Sequence, residues 1–173
     1  MSKFNIEKLG TLHPSIRADD WRSPLVIRLL KSGPYADGAD EFELDYLDKG
    51  AGCAVQRLDF CWSGLGDDYK RCQNTYQATV ITEFAALGLS CLATKNVAGL
   101  EITEVTRRGD RADYWLDDDS LLEVSGQASG NLDTLLESKT EQLLANPHAK
   151  SGFVFVANFK DRESYLHFKE YQK

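Results

Sequence analysis

Two acidic residues, Asp113 and Glu123, lie inside short apolar segments of the chain. Asp113 belongs to residues 111–116 (RADYWL), and Glu123 is flanked by Leu122 and Val124. An acid in the middle of a strand faces solvent or has a partner, because a buried carboxylate is unfavourable. Two such acids on adjacent antiparallel strands lie side by side, and their charges repel unless a cation bridges them.

Carboxylates arranged in this way suit Mg²⁺ or Mn²⁺, which use one or two protein carboxylates and keep several waters. The residue types therefore predict that Asp113 and Glu123 share one Mg²⁺ or Mn²⁺ ion. The alternative is an amphipathic hairpin whose two acids simply face water, and the spacing of the acids leaves both interpretations open.

The hydrophobic pattern predicts the elements that position the two acids. Three strands, separated by the short turns RRGD and DDDS, are predicted at residues 100–106, 111–116 and 121–125. Short turns make these strands an antiparallel meander. A helix at 132–145, ended by Asn146-Pro147, leads to the continuous apolar run 152–157 (GFVFVA), which is typical of a strand buried on both faces. The intervening helix makes this fourth strand parallel to the third.

Helices are predicted on both sides of this unit. One covers residues 73–88, where a stripe of apolar residues recurs at helical spacing and Glu83 lies at its border. A closing helix is predicted at 164–172, with Tyr165, Phe168 and Tyr171 packed inward.

The first 72 residues are predicted to be an extension packed on the core. Pro24 begins a short helix, and two strands with alternating apolar residues form a hairpin that includes Phe60 and Trp62. A chain of 173 residues forms one domain with a real core more readily than two. The sequence thus predicts an α/β protein with an N-terminal extension at 1–72 and a core at 73–173.

The order of these elements resembles the PD-(D/E)XK, or restriction-endonuclease-like, superfamily. The resemblance covers residues 73–157: a helix, Asp113 on the second strand, Glu123-Val124-Ser125 on the third, then a helix and a buried strand. It implies a restriction-endonuclease-like core in which the two acids hold a divalent metal. It also implies supporting roles for Glu83 on the first helix and for Gln127, two residues beyond the triplet.

The chain departs from the family pattern at Ser125, where the family has a lysine that positions or activates the attacking water. Some members supply this lysine from the following helix, and Lys139 is the candidate here. Lys139 lies in the middle of the apolar stripe of its helix, so its amine must reach either a carboxylate or water. Both outcomes stay open.

The resemblance implies a metal-dependent nuclease that acts on DNA in preference to RNA, in phage defence, restriction or repair. The small size implies help from a partner protein or a homodimer. The alternative is a catalytically inactive nuclease-like fold that binds a partner protein, which Ser125, the acidic charge and the aromatic strand at Phe60 and Trp62 favour.

The composition limits the other functional classes. A net charge of −7 argues against a general nucleic-acid coat protein, although 107–111 is locally basic. No apolar run approaches the roughly 18 residues of a spanning helix, so we expect no membrane partner and a cytoplasmic location. The four cysteines, Cys53, Cys61, Cys72 and Cys91, have no CxxC pair and no histidine near them in the sequence, which favours free thiols at buried or half-buried positions over a zinc knuckle.

Overall fold

One mixed β-sheet of eight strands runs through the molecule in the computed structural model, which describes residues 3–29, 36–148 and 150–171. The strands are β1 (Phe4–Asn5), β2 (Gly38–Leu47), β3 (Ala54–Trp62), β4 (Ile102–Val105), β5 (Tyr114–Leu116), β6 (Leu121–Gln127), β7 (Gly152–Asn158) and β8 (Glu163–Lys169). They are hydrogen-bonded in the order β1-β3-β2-β8-β7-β6-β5-β4. The described residues also form five α-helices: α1 (Leu9–Leu12), α2 (Arg22–Leu29), α3 (Asp68–Thr75), α4 (Ala78–Ala93) and α5 (Leu132–Leu144). The chain is therefore an α/β protein, as predicted.

The meander and its crossover are confirmed. β4, β5 and β6 pair antiparallel, and β6 pairs parallel with β7 through α5. The Asn131 side chain accepts a hydrogen bond from the Thr134 N–H at 2.8 Å and so caps the start of α5. All seven residues of β7 are buried, which is what its continuous apolar sequence indicates.

The predicted closing helix at 164–172 is wrong, because this segment forms β8. Tyr165, Phe168 and Tyr171 fit a helical spacing, but Ser164 and Leu166 are buried with the alternation of a strand. β8 forms a hairpin with β7 and also pairs parallel with β2, which lies 120 positions earlier in the chain, so one of its two rows of hydrogen bonds comes from a distant segment. Tertiary pairing of this kind overrides a short local pattern.

The predicted helix at 73–88 is two helices with different bounds. Tyr76 has extended backbone angles (φ −120°, ψ 142°) and ends α3, and α4 then begins at Ala78 and continues past Gly88. Tyr76 is exposed, although its ring contacts Phe84 edge-on at 5.2 Å between centroids. The predicted apolar stripe forms on α4, but its first residue, Tyr76, lies between α3 and α4.

Among the described residues, one helical stretch, Ala78–Ala98, is long and apolar enough to span a membrane by length and composition alone. From the sequence we expected no apolar segment as long as a membrane-spanning helix, and this stretch is an exception by length and mean hydropathy. Its most apolar window has a mean hydropathy of 1.2, and 61% of that window is buried inside the fold. Such burial is that of a core helix in a soluble globular protein. The cytoplasmic location stays a prediction.

The N-terminal segments are joined to the rest of the sheet. β2 and β3 form the predicted hairpin, and Leu58, Phe60 and Trp62 are all buried in the main core. The predicted short helix forms as α2, with Pro24 in its first turn. Its predicted end at Gly33-Pro34 lies outside the described residues. The boundary proposed between residues 72 and 73 falls within α3, and the division at this point stays a prediction.

A buried histidine also ties the N-terminal segment to the core. His13 accepts a hydrogen bond at Nδ1 from the Ile102 N–H at 2.9 Å, and its Nε2 lies 3.0 Å from the Cys91 carbonyl oxygen. Burial lowers the pKa of His13, so the ring is neutral and donates from Nε2.

The sheet is covered differently on its two faces. The main core lies on the face with α2 and α4, and it extends across the sheet from β3 to the edge strand β4. A smaller cluster lies under α5, where Leu132 and Leu143 pack on Val154 and Val156. Glu123 belongs to this second face, because its side chain points away from that of Val124.

The two interpretations of residues 164–172 make opposite predictions for two substitutions. We expect Leu166→Ala to lower the free energy of unfolding by about 2 to 5 kcal/mol, because Leu166 is fully buried in β8. Tyr171→Ala should cost about 1 kcal/mol, since Tyr171 is 39% exposed and its hydroxyl donates one hydrogen bond to Asn146. Urea denaturation of both variants measures the difference, and a larger loss for Tyr171→Ala would contradict the strand.

Candidate functional site

The two predicted acids meet at the junction of β5 and β6. Asp113 lies at a bend just before β5 instead of inside the strand, because Arg111 has a positive φ of 62°. Its N–H still donates to the Leu122 carbonyl at 3.0 Å. Its Oδ2 accepts a hydrogen bond from the Val124 N–H at 2.8 Å, which places its carboxylate beside the backbone that carries Glu123.

Glu123 is 1% exposed, and Lys139 is the cation that reaches it. The Lys139 amine donates to Glu123 Oε1 at 2.8 Å and to Gln142 Oε1 at 3.1 Å. Lys139 remains 24% exposed, so its amine lies at the border of the protein interior. The sequence left open whether the Lys139 amine reaches a carboxylate or water, and in the structure it contacts the Glu123 carboxylate.

Burial governs the electrostatics of the acid pair. Burial, and then the charge of Asp113, raises the pKa of Glu123 to about 7, although Lys139 lowers it. Burial also raises the pKa of Asp113, while the Val124 N–H and Lys139 lower it and Glu83 raises it. Two like charges held in a partly desolvated place retain protons unless a cation offsets them.

Glu83 approaches the pair from α4. Its charge acts on Asp113, and its side chain is exposed to solvent. Gly126 allows this approach, because a Cβ there would lie 2.7 Å from Ala86 Cβ. α4 therefore packs directly on β6, and Glu83 is near enough for its charge to act on Asp113.

Gln127 is not brought together with the acids. It lies four residues beyond Glu123 on β6, which is about 13 Å along the strand. Its side chain packs beside Gly130, and its Nε2 is buried with no hydrogen-bond partner among the described residues. Ser125 lies between them on the same face and is half-buried. The catalytic role of Gln127 stays a prediction.

Two further features were not found from the sequence. Gln142 lies one helical turn after Lys139 and holds its amine, and the spacing of three residues is the signal that could have indicated it. The turn before Asp113 is anchored by Asp110, whose Oδ2 accepts from the Arg107 N–H at 2.7 Å and whose Oδ1 lies 3.0 Å from His148 Nε2. No local pattern connects Asp110 with His148.

The anchored turn carries exposed basic side chains next to the acids. Arg107, Arg108 and Arg111 are all exposed, and Arg111 is two residues from Asp113. This basic loop, residues 107–111, gives an acidic protein a local positive surface at the edge of the site.

The donor set fits a hard divalent cation. Glu123 Oε2 is buried with no hydrogen-bond partner among the described residues, so this acceptor is free to bind a ligand. The nearby donor groups are carboxylates, with no thiol or imidazole among those that act on Asp113 and Glu123 within the described chain. Oxygen donors of this type suit Mg²⁺ or Mn²⁺ and not Zn²⁺.

Comparisons with protein-family models, with characterised proteins and with solved structures find no match to this chain.

The raised pKa of Glu123 predicts how stability depends on pH in metal-free protein. The folded protein retains the Glu123 proton up to about pH 7, whereas the unfolded chain releases it near the ordinary value of 4.5. The folded state therefore binds more protons in this window, and stability falls as the pH rises through it. Glu123→Gln removes this loss, so the variant should be more stable than wild type by about 3 kcal/mol above pH 7 and should lose the gain below pH 4.5.

Urea denaturation across this pH range, with chelator present, measures the effect. Lys139 keeps Gln142 and solvent as partners in the variant. Glu137→Gln, at an exposed position of the same helix as Lys139, is the matched control and should show no pH-dependent gain. Equal curves for Glu123→Gln and wild type would contradict the burial of a charged carboxylate.

Proposed function

We propose that the protein is a metal-dependent phosphodiesterase that cleaves DNA, with Asp113 and Glu123 as the ligands of Mg²⁺ or Mn²⁺. The observation that carries the proposal is the buried Glu123 carboxylate, which has one oxygen on Lys139 and the other without a partner. A structural ion pair would use both oxygens, because an unsatisfied buried acceptor costs about 1 to 3 kcal/mol.

The order of elements supports a restriction-endonuclease-like core within the α/β fold. α4 precedes the meander β4 to β6, and α5 leads to the parallel strand β7. Asp113 lies just before the second strand of the meander, Glu123 lies on the third, and the lysine comes from the next helix. Lys139 thus occupies the place of the cation that Ser125 cannot provide.

The side chains have separate tasks in the proposed reaction. A bound Mg²⁺ or Mn²⁺ supplies a Lewis acid for the phosphoryl oxygen and lowers the pKa of a coordinated water. Lys139 is close enough to Glu123 to orient a water beside that carboxylate, and Gln142 holds the amine in place. Glu83 adds negative charge that favours the cation over a proton.

The basic loop is the proposed contact with the DNA backbone. Arg107, Arg108 and Arg111 project from a turn that Asp110 and His148 fix, and a guanidinium matches phosphate geometry. Such contacts attract DNA of any sequence and position the duplex, and they carry no sequence preference.

The partner-binding alternative has less support from the fold. The aromatic strand that would anchor a partner, with Phe60 and Trp62, packs in the main core of this chain. Ser125 is the observation that still favours an inactive fold, and a cleavage assay separates the two functions.

We expect purified wild-type protein to cleave plasmid DNA with Mn²⁺ or Mg²⁺ and to be inactive with chelator. Asp113→Asn and Glu123→Gln should abolish cleavage. Lys139→Ala should lower the rate by about 10² to 10⁴, the usual contribution of a positioned proton-transfer or electrostatic group. Lys160→Ala, at an exposed lysine of the β7–β8 turn, is the matched control and should keep full activity.

A second substitution tests the replacement of the triplet lysine. Ser125 shares a strand face with Glu123, so Ser125→Lys in the Lys139→Ala background should restore part of the rate. Full cleavage by Lys139→Ala would exclude the lysine mechanism. Absence of cleavage by the wild type with every divalent metal tested would favour the partner-binding alternative.

The basic loop generates a separate prediction for DNA affinity. Arg108→Ala should weaken binding of inactive Glu123→Gln protein to DNA of unrelated sequences equally, and it should reduce the slope of log K against log salt by about 1. Arg57→Ala, at an exposed arginine on β3 that pairs with Glu41 at 3.6 Å, is the control. If Arg57→Ala has the same effect as Arg108→Ala, the attraction is diffuse and the loop has no special role.

A further inference from the structure

Three residues with metal-ligating side chains meet near β2 and β8, on the same sheet face as Glu123 but two strands away from it. They are Asp45 near the end of β2, Cys53 in the turn before β3, and His167 on β8. One ligand atom from each lies within 4.8 Å of the other two. The Cys53 thiol contacts Asp45 Oδ1, and His167 Nε2 lies 3.6 Å from that same oxygen.

Strand register explains why these residues meet. Asp45 pairs with Tyr165 across the parallel β2–β8 contact, and His167 follows two residues later on the same face. The hairpin turn, with Gly50 at a positive φ of 68°, returns the chain so that Cys53 lies next to the pair Tyr46–Ala54. The cluster thus joins three segments that are up to 122 positions apart in the sequence.

The His167 ring is held in place, and Asp45 is its charged neighbour. His167 is 12% exposed, and its Nε2 is buried with no hydrogen-bond partner among the described residues. The Tyr165 ring stacks on the imidazole at 5.3 Å between centroids and 16° between planes, which fixes the ring orientation. A buried ring nitrogen usually has a close hydrogen-bond partner, so an oriented imidazole whose Nε2 lies 3.6 Å from Asp45 Oδ1 leaves room for a ligand between them.

We propose that Asp45, Cys53 and His167 bind one Zn²⁺ ion, with a water in the fourth position. Thiolate, imidazole and carboxylate are the donors that zinc combines in tetrahedral sites, whereas Mg²⁺ and Ca²⁺ take oxygen alone. Metal–ligand bonds of 2.0 to 2.3 Å put tetrahedral ligand atoms about 3.3 to 3.7 Å apart, so the cluster needs only a small closure. Binding releases the thiol proton and replaces the Cys53–Asp45 contact with two bonds to the ion.

The site is independent of the proposed nuclease centre. Its donors include sulfur and nitrogen, and it lies on β2 and β8, whereas the acid pair lies at β5 and β6. A zinc ion here would tie the turn of the hairpin to β8, at the strand contact that joins the N-terminal segments to the core.

Metal content and cobalt absorption of tag-free protein test the inference. After incubation with Zn²⁺ and desalting, wild type should retain one zinc per chain, and Co²⁺ should give the intense visible bands of a tetrahedral site together with a thiolate-to-metal charge-transfer band. Cys53→Ser should weaken zinc binding by more than about 100-fold, beyond the loss expected for an outer-sphere partner, and remove the charge-transfer band.

Two controls keep the result specific. Cys53 is exposed in a turn, so Cys53→Ser should fold normally and melt like metal-free wild type. Cys61→Ser, at a half-buried thiol on β3, should bind zinc like wild type. Asp113→Asn should also bind zinc like wild type, so a failure of the nuclease proposal would leave the zinc result unchanged. The proposed zinc site is excluded if wild type retains no zinc after reconstitution, or if wild type and Cys53→Ser bind zinc with equal affinity.

Discussion

Residues Glu43–Leu47 of β2 lie alongside Glu163–His167 of β8, and this parallel pairing holds the two halves of the sheet together. A buried ion pair supports it, because Arg162 Nε lies 2.8 Å from Asp40 Oδ2 at the turn that begins β8. Without this contact β1, β2 and β3 would have no strand partner in the rest of the sheet and would be joined to it only through the main core, and a small set of strands is marginally stable in water. The paired strands also position Asp45 beside His167, so the proposed zinc site depends on the same register.

The second constraint is the burial of Glu123 under α5. A carboxylate at 1% exposure is unfavourable in its charged form, and its attraction to Lys139 offsets that cost only in part. A divalent cation at the free Oε2 would complete the compensation. The same arrangement that lowers the stability of the metal-free protein therefore gives the proposed site its affinity for metal.

The two proposed centres share one face of the sheet. Glu123, Val154 and His167 form one row across β6, β7 and β8, so the backbones of Glu123 and His167 are about 10 Å apart. α5 contacts all three strands and lies between the two groups of ligands. Lys139 and Gln142 serve the acid pair, whereas the charge of Asp133 near the start of α5 acts on His167. One helix thus separates an oxygen-donor site from a mixed-donor site.

The sequence alone determined what depends on local pattern: the meander, α5, the buried β7 and the nearness of Asp113 to Glu123. Short turns and apolar periodicity fix such features within about 50 residues of chain. The choice of Lys139 as the candidate cation rested instead on the resemblance of the order of elements to a nuclease superfamily. Only the tertiary structure decided that residues 163–169 are a strand, because β8 also pairs with the distant β2, whereas its own aromatic spacing suits a helix. For the same reason the sequence could not connect Cys53 with a histidine, since His167 reaches it through strand pairing and not through proximity along the chain.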